Sequence, residues 1–389
     1  MSAARRLPVL PARLSLLLAL AVLAAAASPV AAEPMFLSRQ YNRCTTCHYS
    51  PTGGGLLTPY GRSLSHHELS TSGERYPTVP PPPKGKGEES FLWGALGNAL
   101  GPVDLGIDIR PSYLGLDVGG PTSSSKDFLM NADLLAAWRS HGFTVYGEVG
   151  RKPPIGQDQS GIYSYEHWVG YESESGLGFR VGRFLPAYGI RLADHTAYTR
   201  SPLGFDKYDQ VYALEVSHSG QRHLLQVSVG PGRADDIVHG DPHPFTATGR
   251  FQWDLGSRTS LVFSGLYRDK TTLLPANGAS GVAFGIAPVR RLSIWTEADA
   301  QFQQGSSGAP AYSLLNETGF EVFRGVWLKF SPQLRTNYGD TSGGVVRLAF
   351  ELNLLPRTHW NLDFSYYHDE TRQTSFVYKT FIAQLHLYL

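Results

Sequence analysis

The residues best suited to chemistry are the only two cysteines of the chain, Cys44 and Cys47, and the histidine that follows them, His48. The spacing Cys-x-x-Cys-His is that of a c-type haem attachment motif. In such a motif the two sulfurs form thioethers with the vinyl groups of the porphyrin, and the histidine reaches the iron from the proximal face. The sequence therefore predicts one covalently bound haem c.

Two other structures could use the same residues. A disulfide between Cys44 and Cys47 is one, because exported proteins usually pair an even number of cysteines and two intervening residues keep the Cα atoms close. A zinc site is the other, although structural zinc takes four ligands and this motif supplies at most three. The haem interpretation uses all three residues.

The second axial position of the iron has several candidates. His66 and His67 lie downstream in a segment that reads as a short helix, and they are the favoured distal ligands. Met35 is a weaker candidate, and an open or water-bound position is the remaining alternative. The choice matters because a His/Met pair gives a higher reduction potential than a His/His pair.

The chain begins with a stretch typical of a secretory signal peptide. A basic region with Arg5, Arg6 and Arg13 precedes an apolar run over 14–27, and small residues at 30–32 provide a cleavage site. The apolar run is too short for a membrane-spanning helix. We expect residues 1–32 to be absent from the mature fold.

Three further segments follow the predicted signal. Residues 33–76 form the c-type monohaem segment, about 40 residues that need the haem to supply much of their core. Residues 77–90 are rich in proline and glycine and read as a semi-rigid linker. Residues 91–389 carry a different pattern, of alternating apolar and polar side chains.

Composition excludes some classes of function. The chain has 34 Lys and Arg against 33 Asp and Glu, and three of the arginines lie in the predicted signal, so there is no basic footprint for nucleic acid. No apolar run of about 20 residues follows the signal, which argues against a helical membrane protein.

The alternation, which begins at about residue 100, predicts an all-β fold, a transmembrane antiparallel barrel of about 16 strands. Over 346–354, for example, Val346, Leu348 and Phe350 share one face while Arg347 and Glu351 share the other. A soluble sandwich or barrel would show the same alternation. The connections favour the membrane barrel, because tight turns alternate with long loops and an even strand number returns both termini to one side.

Charges of both signs fall on the polar face of the predicted strands, which indicates a wet lumen without a single-ion filter. These residues are Arg180, Glu215, Glu297, Asp299, Glu321, Arg347, Glu351 and Asp363. The segment 182–190 ends a strand and could fold inward as a constriction.

One predicted outer loop, residues 232–243, gathers oxygen and imidazole groups that suit ferrous iron. The candidate iron ligands are Asp235, Asp236, His239, Asp241 and His243. A solvated loop is the alternative interpretation. Asp194-His195 and His368-Asp369-Glu370 are weaker clusters in other predicted outer loops.

The stretches 39–43 and 57–62, on either side of the haem motif, look like the flanking segments of a known family. Together with a following barrel, they resemble the fused monohaem cytochrome–porin family, whose members include outer-membrane iron oxidases. The resemblance implies a Gram-negative-type outer membrane, with the haem segment on the periplasmic side or in the lumen. It also implies electron transfer between a periplasmic carrier of the cytochrome or cupredoxin class and an extracellular donor or acceptor such as Fe(II).

Two alternatives remain open. The first is a porin-type channel for small solutes in which the haem is structural or regulatory. The second is a barrel that surrounds a separate multihaem partner, since a single haem does not by itself provide a complete electron-transfer path across the membrane.

Overall fold

The structure is a computed structural model that describes residues 34–72, 90–95, 102–119, 123–152, 161–273, 275–305 and 308–389. The predicted signal peptide, residues 1–32, and all of the predicted linker except its last residue lie outside this part of the chain.

Sixteen antiparallel strands form a closed barrel, as predicted, in which each strand pairs with its neighbours in sequence and the last pairs with the first. The strands are β1 (Val103–Asp117), β2 (Ser124–Ser140), β3 (Phe143–Lys152), β4 (Gly161–Glu172), β5 (Leu177–Phe184), β6 (Val211–Ser219), β7 (His223–Arg233), β8 (Thr246–Gly256), β9 (Thr259–Arg268), β10 (Asn277–Val289), β11 (Leu292–Gln303), β12 (Ala311–Phe323), β13 (Val326–Asn337), β14 (Asp340–Leu354), β15 (Trp360–Thr371) and β16 (Val377–Tyr388).

The strands turn their apolar face outward and their polar face into the lumen. On β14, Val346 and Phe350 are 36% and 49% exposed, whereas Arg347 and Asn353 are 9% and 5% exposed. A soluble barrel would bury the apolar face instead. The observed orientation is the one that a bilayer requires, and closure leaves no unpaired strand edge in lipid.

The two ends of the barrel differ. One end carries the first residue of β1, Val103, and the last residue of β16, Tyr388, together with short turns such as that between β2 and β3. The other end carries the longer connections. The longest of these, residues 185–210 between β5 and β6, folds into the lumen, where Tyr188, Leu203 and Phe205 are buried. We call this connection the inward loop, and it agrees with the predicted constriction.

The helices are short. They are α1 (Pro34–Leu37), α2 (Cys44–Cys47), α3 (Pro59–Leu64), a π-helical turn (Ser65–Leu69), 3-10 turns (Phe91–Gly94 and Ser201–Leu203) and α4 (Ala234–His239). Within the described ranges, no helix has the length and apolar character needed to cross a membrane.

Residues 34–72, which we call the plug, lie inside the barrel. Leu37 is fully buried in one apolar cluster with Ile190 of the inward loop and with Trp295 and Leu315 of the wall. At the short-turn end, the Thr71 amide donates to the Leu355 carbonyl at 2.8 Å. The plug and the inward loop therefore meet in the lumen from opposite ends.

Candidate haem site in the barrel lumen

The plug holds the Cys-x-x-Cys-His motif in a compact fold. Cys44 and Cys47 sit on the single turn of α2, which closes when the His48 amide donates to the Cys44 carbonyl at 2.8 Å. The Thr58 amide then donates to the Cys47 carbonyl at 2.8 Å. Helix α3 packs so closely that a Cβ on Gly61 would lie 2.3 Å from the Cys47 carbonyl oxygen. The motif and α3 thus form one unit.

A glycine turn follows the motif. Gly53, Gly54 and Gly55 all have φ between +59° and +79°, the left-handed region that side chains disfavour. A Cβ on Gly53 would lie 3.1 Å from the Cys44 sulfur, and one on Gly55 would lie 2.1 Å from the Tyr146 hydroxyl. Three glycines in a row are therefore what lets the backbone pass between the motif and the wall.

Polar contacts fasten this unit to the wall on several strands. Arg43 forms an ion pair with Asp254 of β8 at 2.7 Å. The Ser50 hydroxyl donates to Glu166 of β4 at 3.1 Å, and the Tyr49 hydroxyl donates to Asp104 of β1. The position of the motif is therefore fixed by side chains from well-separated parts of the barrel.

A cavity of about 390 Å³ lies in the lumen between the plug, the inward loop and the wall. Cys44, Cys47 and His48 all line it from the plug side. Apolar groups and charged groups share its lining, including Leu56 of the plug and Lys207 of the inward loop. Such a mixture suits a large flat ligand with an apolar body and a few charged substituents.

The pKa values of two groups in the motif, His48 and Cys47, are shifted by their surroundings. Burial, and then the charge of Arg191, lower the pKa of His48 to about 4. The imidazole is therefore neutral at pH 7, which is the form that ligates a metal. Its Nδ1 is buried without a hydrogen bond in the described structure. Burial, and then the neighbouring Cys44, raise the pKa of the Cys47 thiol to about 12.

These features fit a c-type haem. The two cysteines are not joined by a disulfide in the described part of the chain, and both face the same cavity as a neutral, buried imidazole. The glycine turn leaves backbone in close approach to that cavity. Cys44 and Cys47 would carry the thioethers and His48 would be the proximal ligand.

The candidates for the distal ligand separate clearly. Met35 lines the cavity. Neither His66 nor His67 is among the described residues that line it, and the His66 Nδ1 lies 2.6 Å from the Thr358 hydroxyl in the turn between β14 and β15. Met35 therefore shares the cavity with the motif, whereas His66 contacts the barrel rim through Thr358.

The five candidate iron ligands in residues 232–243 are not brought together in the structure. In the described ranges no three His, Cys, Asp or Glu side chains stand close enough together to hold a metal ion. Asp235 instead pairs with Arg183 at 2.8 Å and accepts from the Tyr163 hydroxyl, and the His243 Nδ1 contacts the Pro231 carbonyl at 2.8 Å. The remaining candidates do not gather around them; these are Asp236, His239 and Asp241.

The two weaker clusters also lie elsewhere than predicted. Asp194 and His195 belong to the inward loop and line the same cavity as Cys44 and His48 rather than an outer surface. His368, Asp369 and Glu370 lie within β15, where Asp369 pairs with Arg347 at 2.8 Å. The charged lumen residues predicted from the strand pattern do face inward, and several are paired, as Arg180 is with Glu215 at 2.9 Å.

Arg191 and Lys207 line the cavity and were missed by sequence reasoning. The sequence did contain a signal. A connection of this length that carries Leu185, Ile190 and Leu192 is too apolar for a solvated loop, and a loop that buries such residues brings its charged neighbours inside with them.

Comparison with known proteins supports the barrel. Neither a protein-family model nor a curated protein sequence matches this chain. Among solved structures, Pseudomonas putida OprB is similar over 79% of this chain and 99% of that chain, with 9% identity and a TM-score of 0.58.

Two further structures give the same picture. An anion-selective porin from Comamonas acidovorans is similar over 74% of this chain and 99% of that one, with 10% identity and a TM-score of 0.55. The outer membrane channel DcaP of Acinetobacter baumannii is similar over 74% and 97%, with 12% identity and a TM-score of 0.54. At such identities the likeness shows the porin-type fold alone.

Proposed function

We propose that this protein is an outer-membrane barrel that carries one covalent haem c in its lumen and transfers electrons across the membrane. The observation that carries the proposal is the common cavity of Cys44, Cys47 and His48, enclosed between the plug and the inward loop. A haem there would lie between the plug, which enters from one end of the barrel, and the inward loop, which enters from the other. When bound, haem c supplies a one-electron carrier.

The residues of this chain would hold and insulate that carrier. Cys44 and Cys47 fix it covalently, and the neutral His48 presents a lone pair to the iron. Leu192 lines the cavity and belongs to the buried apolar cluster of Leu37 and Trp295, so it would shield the site from water on that side. The strands, with their apolar outer face, place the whole assembly in lipid.

The partners follow from the two ends of the barrel. In outer-membrane barrels the termini and short turns face the periplasm. The plug lies at that end, so a periplasmic carrier of the cytochrome or cupredoxin class would meet it there. An extracellular donor or acceptor would meet the inward loop. Fe(II) remains one candidate, although residues 232–243 supply no preformed site for it.

A pyridine haemochrome spectrum tests the attachment. The protein, expressed in cells able to mature c-type cytochromes, should give about one haem per chain with the absorption of two saturated thioether positions. Cys44→Ala should shift that absorption towards a single thioether, and Cys44→Ala/Cys47→Ala should lose covalent haem on denaturing gels. A wild-type protein without covalent haem would reject the proposal.

A porin-type channel with a structural or regulatory haem is the second candidate function. It is favoured by the likeness to an outer membrane channel and to an anion-selective porin. A channel predicts passage of small solutes through the wild-type barrel in a liposome-swelling assay. The packing of Leu37 against Ile190 across the lumen instead favours a barrel whose lumen is blocked. Solute flux together with a redox-inactive haem would favour the channel over electron transfer.

A further inference from the structure

Arg191 occupies an unusual place. It lies on the inward loop, which enters the barrel from the end opposite the plug, and it lines the same cavity as Cys44 and His48. A Cβ on Gly54 would lie 2.9 Å from its Nη2 atom. The guanidinium group therefore stands against the glycine turn that follows the haem motif.

The other arginines that line this cavity have partners. Arg43 pairs with Asp254 at 2.7 Å, Arg110 pairs with Asp108 at 2.6 Å, and Arg200 donates to the Tyr188 carbonyl at 2.8 Å. Arg191 has no hydrogen-bond or ion-pair partner among the described residues. It is half-buried, with its charge directed at the cavity.

Arg200 adds a second positive charge near Arg191, while the carboxylates of Glu297 and Asp299 act on Arg200 with the opposite sign. Burial, and then the charge of Arg191, lower the pKa of Arg200 to about 10. A guanidinium group that has no ion-pair partner and lies near a second guanidinium group is stabilised by an anion. For Arg191 such an anion would lie in the cavity. A planar carboxylate is the best match, because guanidinium donates two parallel hydrogen bonds to it.

We infer that Arg191 binds a propionate carboxylate of the haem and thereby joins the inward loop to the cofactor. This rests on the proposed function. Arg191 is a positioning residue: it neutralises one propionate charge and orients the ring, while the cysteines and His48 hold it. The contact also means that the inward loop, at the long-loop end of the barrel, is linked to the haem by an ion pair.

Three variants test the inference in the purified holoprotein. Arg191→Gln removes the charge and the fork, Arg191→Lys keeps the charge only, and Arg291→Gln removes a charge from the exposed turn between β10 and β11. The readouts are haem content, the propionate bending band in resonance Raman spectra, and the reduction potential with and without added inorganic phosphate.

With haem content unchanged, Arg191→Gln should shift the propionate band and lower the potential, because a lost cation favours the ferric state. Arg191→Lys should restore the potential more than the band, and Arg291→Gln should match wild type. A band and potential unchanged in Arg191→Gln would overturn the inference alone. A wild-type potential that follows phosphate would overturn it in favour of an exchangeable anion. An absence of covalent haem in wild type would overturn it together with the proposed function.

Discussion

Replacing Arg39 by methionine should release the plug. Arg39 follows α1, and its guanidinium donates to Glu68 at 3.1 Å and to Glu321 of β12. The side chains are 4%, 9% and 5% exposed, respectively. Both carboxylates therefore depend on a buried cation. Arg290 also pairs with Glu68, at 2.6 Å, but its side chain is 60% exposed.

The magnitudes differ because of that exposure. Removing one partner of a buried ion pair leaves an uncompensated charge and costs about 3–5 kcal/mol. At about 1.4 kcal/mol for each tenfold change, the Arg39→Met substitution should move the equilibrium between docked and released plug by about two to three and a half orders of magnitude. Arg290→Gln removes a solvent-screened pair worth about 0–1 kcal/mol. It should shift the same equilibrium by less than about tenfold.

Single-channel recordings in planar bilayers measure the difference. Wild type should be almost always closed. Arg39→Met should show frequent large-conductance openings, and Arg290→Gln should resemble wild type. Equal opening frequencies in the two variants would refute the assignment of the buried pair as the anchor of the plug. An open wild-type barrel would refute the plug itself.

Three other outcomes follow from the structure. Gly55→Ala should lower the haem content per chain in a haemochrome assay, because its Cβ would lie 2.1 Å from the Tyr146 hydroxyl. Gly119→Ala should not, because Gly119 also has a positive φ but no atom lies within 4 Å of its Cβ position. Equal losses of haem in the two variants would show that backbone strain alone matters. In protein made without haem, Cys47, with a pKa of about 12, should be a thiolate at a fraction on the order of 10⁻⁴ at pH 8, so iodoacetamide should alkylate it far more slowly than in the urea-unfolded chain; similar rates would contradict its burial. Val181→Arg, on a side chain 57% exposed on β5, should lower the free energy of unfolding in lipid vesicles by about 2–4 kcal/mol, and no loss would place that face outside the bilayer.

The strands were largely predictable because lipid and lumen impose opposite chemistry on alternate residues. The alternation of Val346 and Arg347 therefore survives into the structure on β14. The ends of the strands were less predictable than their middles. β2 begins at Ser124, three residues earlier than the pattern indicates, since residues near the rim are wetted on both faces and lose the alternation.

The site was predictable only in part. The spacing of Cys44, Cys47 and His48 specifies covalent chemistry by itself, without tertiary information. The distal side depends on which groups the fold brings into one cavity. His66 and His67 look like better ligands than Met35, yet the turn that carries them contacts Thr358 at the rim. Arg191 lies more than 140 residues from His48 in sequence, so only the inward loop reveals their proximity.

Electron transfer across sealed liposomes tests the central claim most directly. The holoprotein would be reconstituted with ferricyanide trapped inside, a membrane-impermeant reductant would be added outside, and the haem and ferricyanide absorbances would be followed together. We expect the trapped ferricyanide to be reduced through the wild-type protein while a trapped dye of similar size is retained, and Cys44→Ala/Cys47→Ala to abolish the reduction. Equal reduction in that variant, or leakage of the dye, would contradict the account.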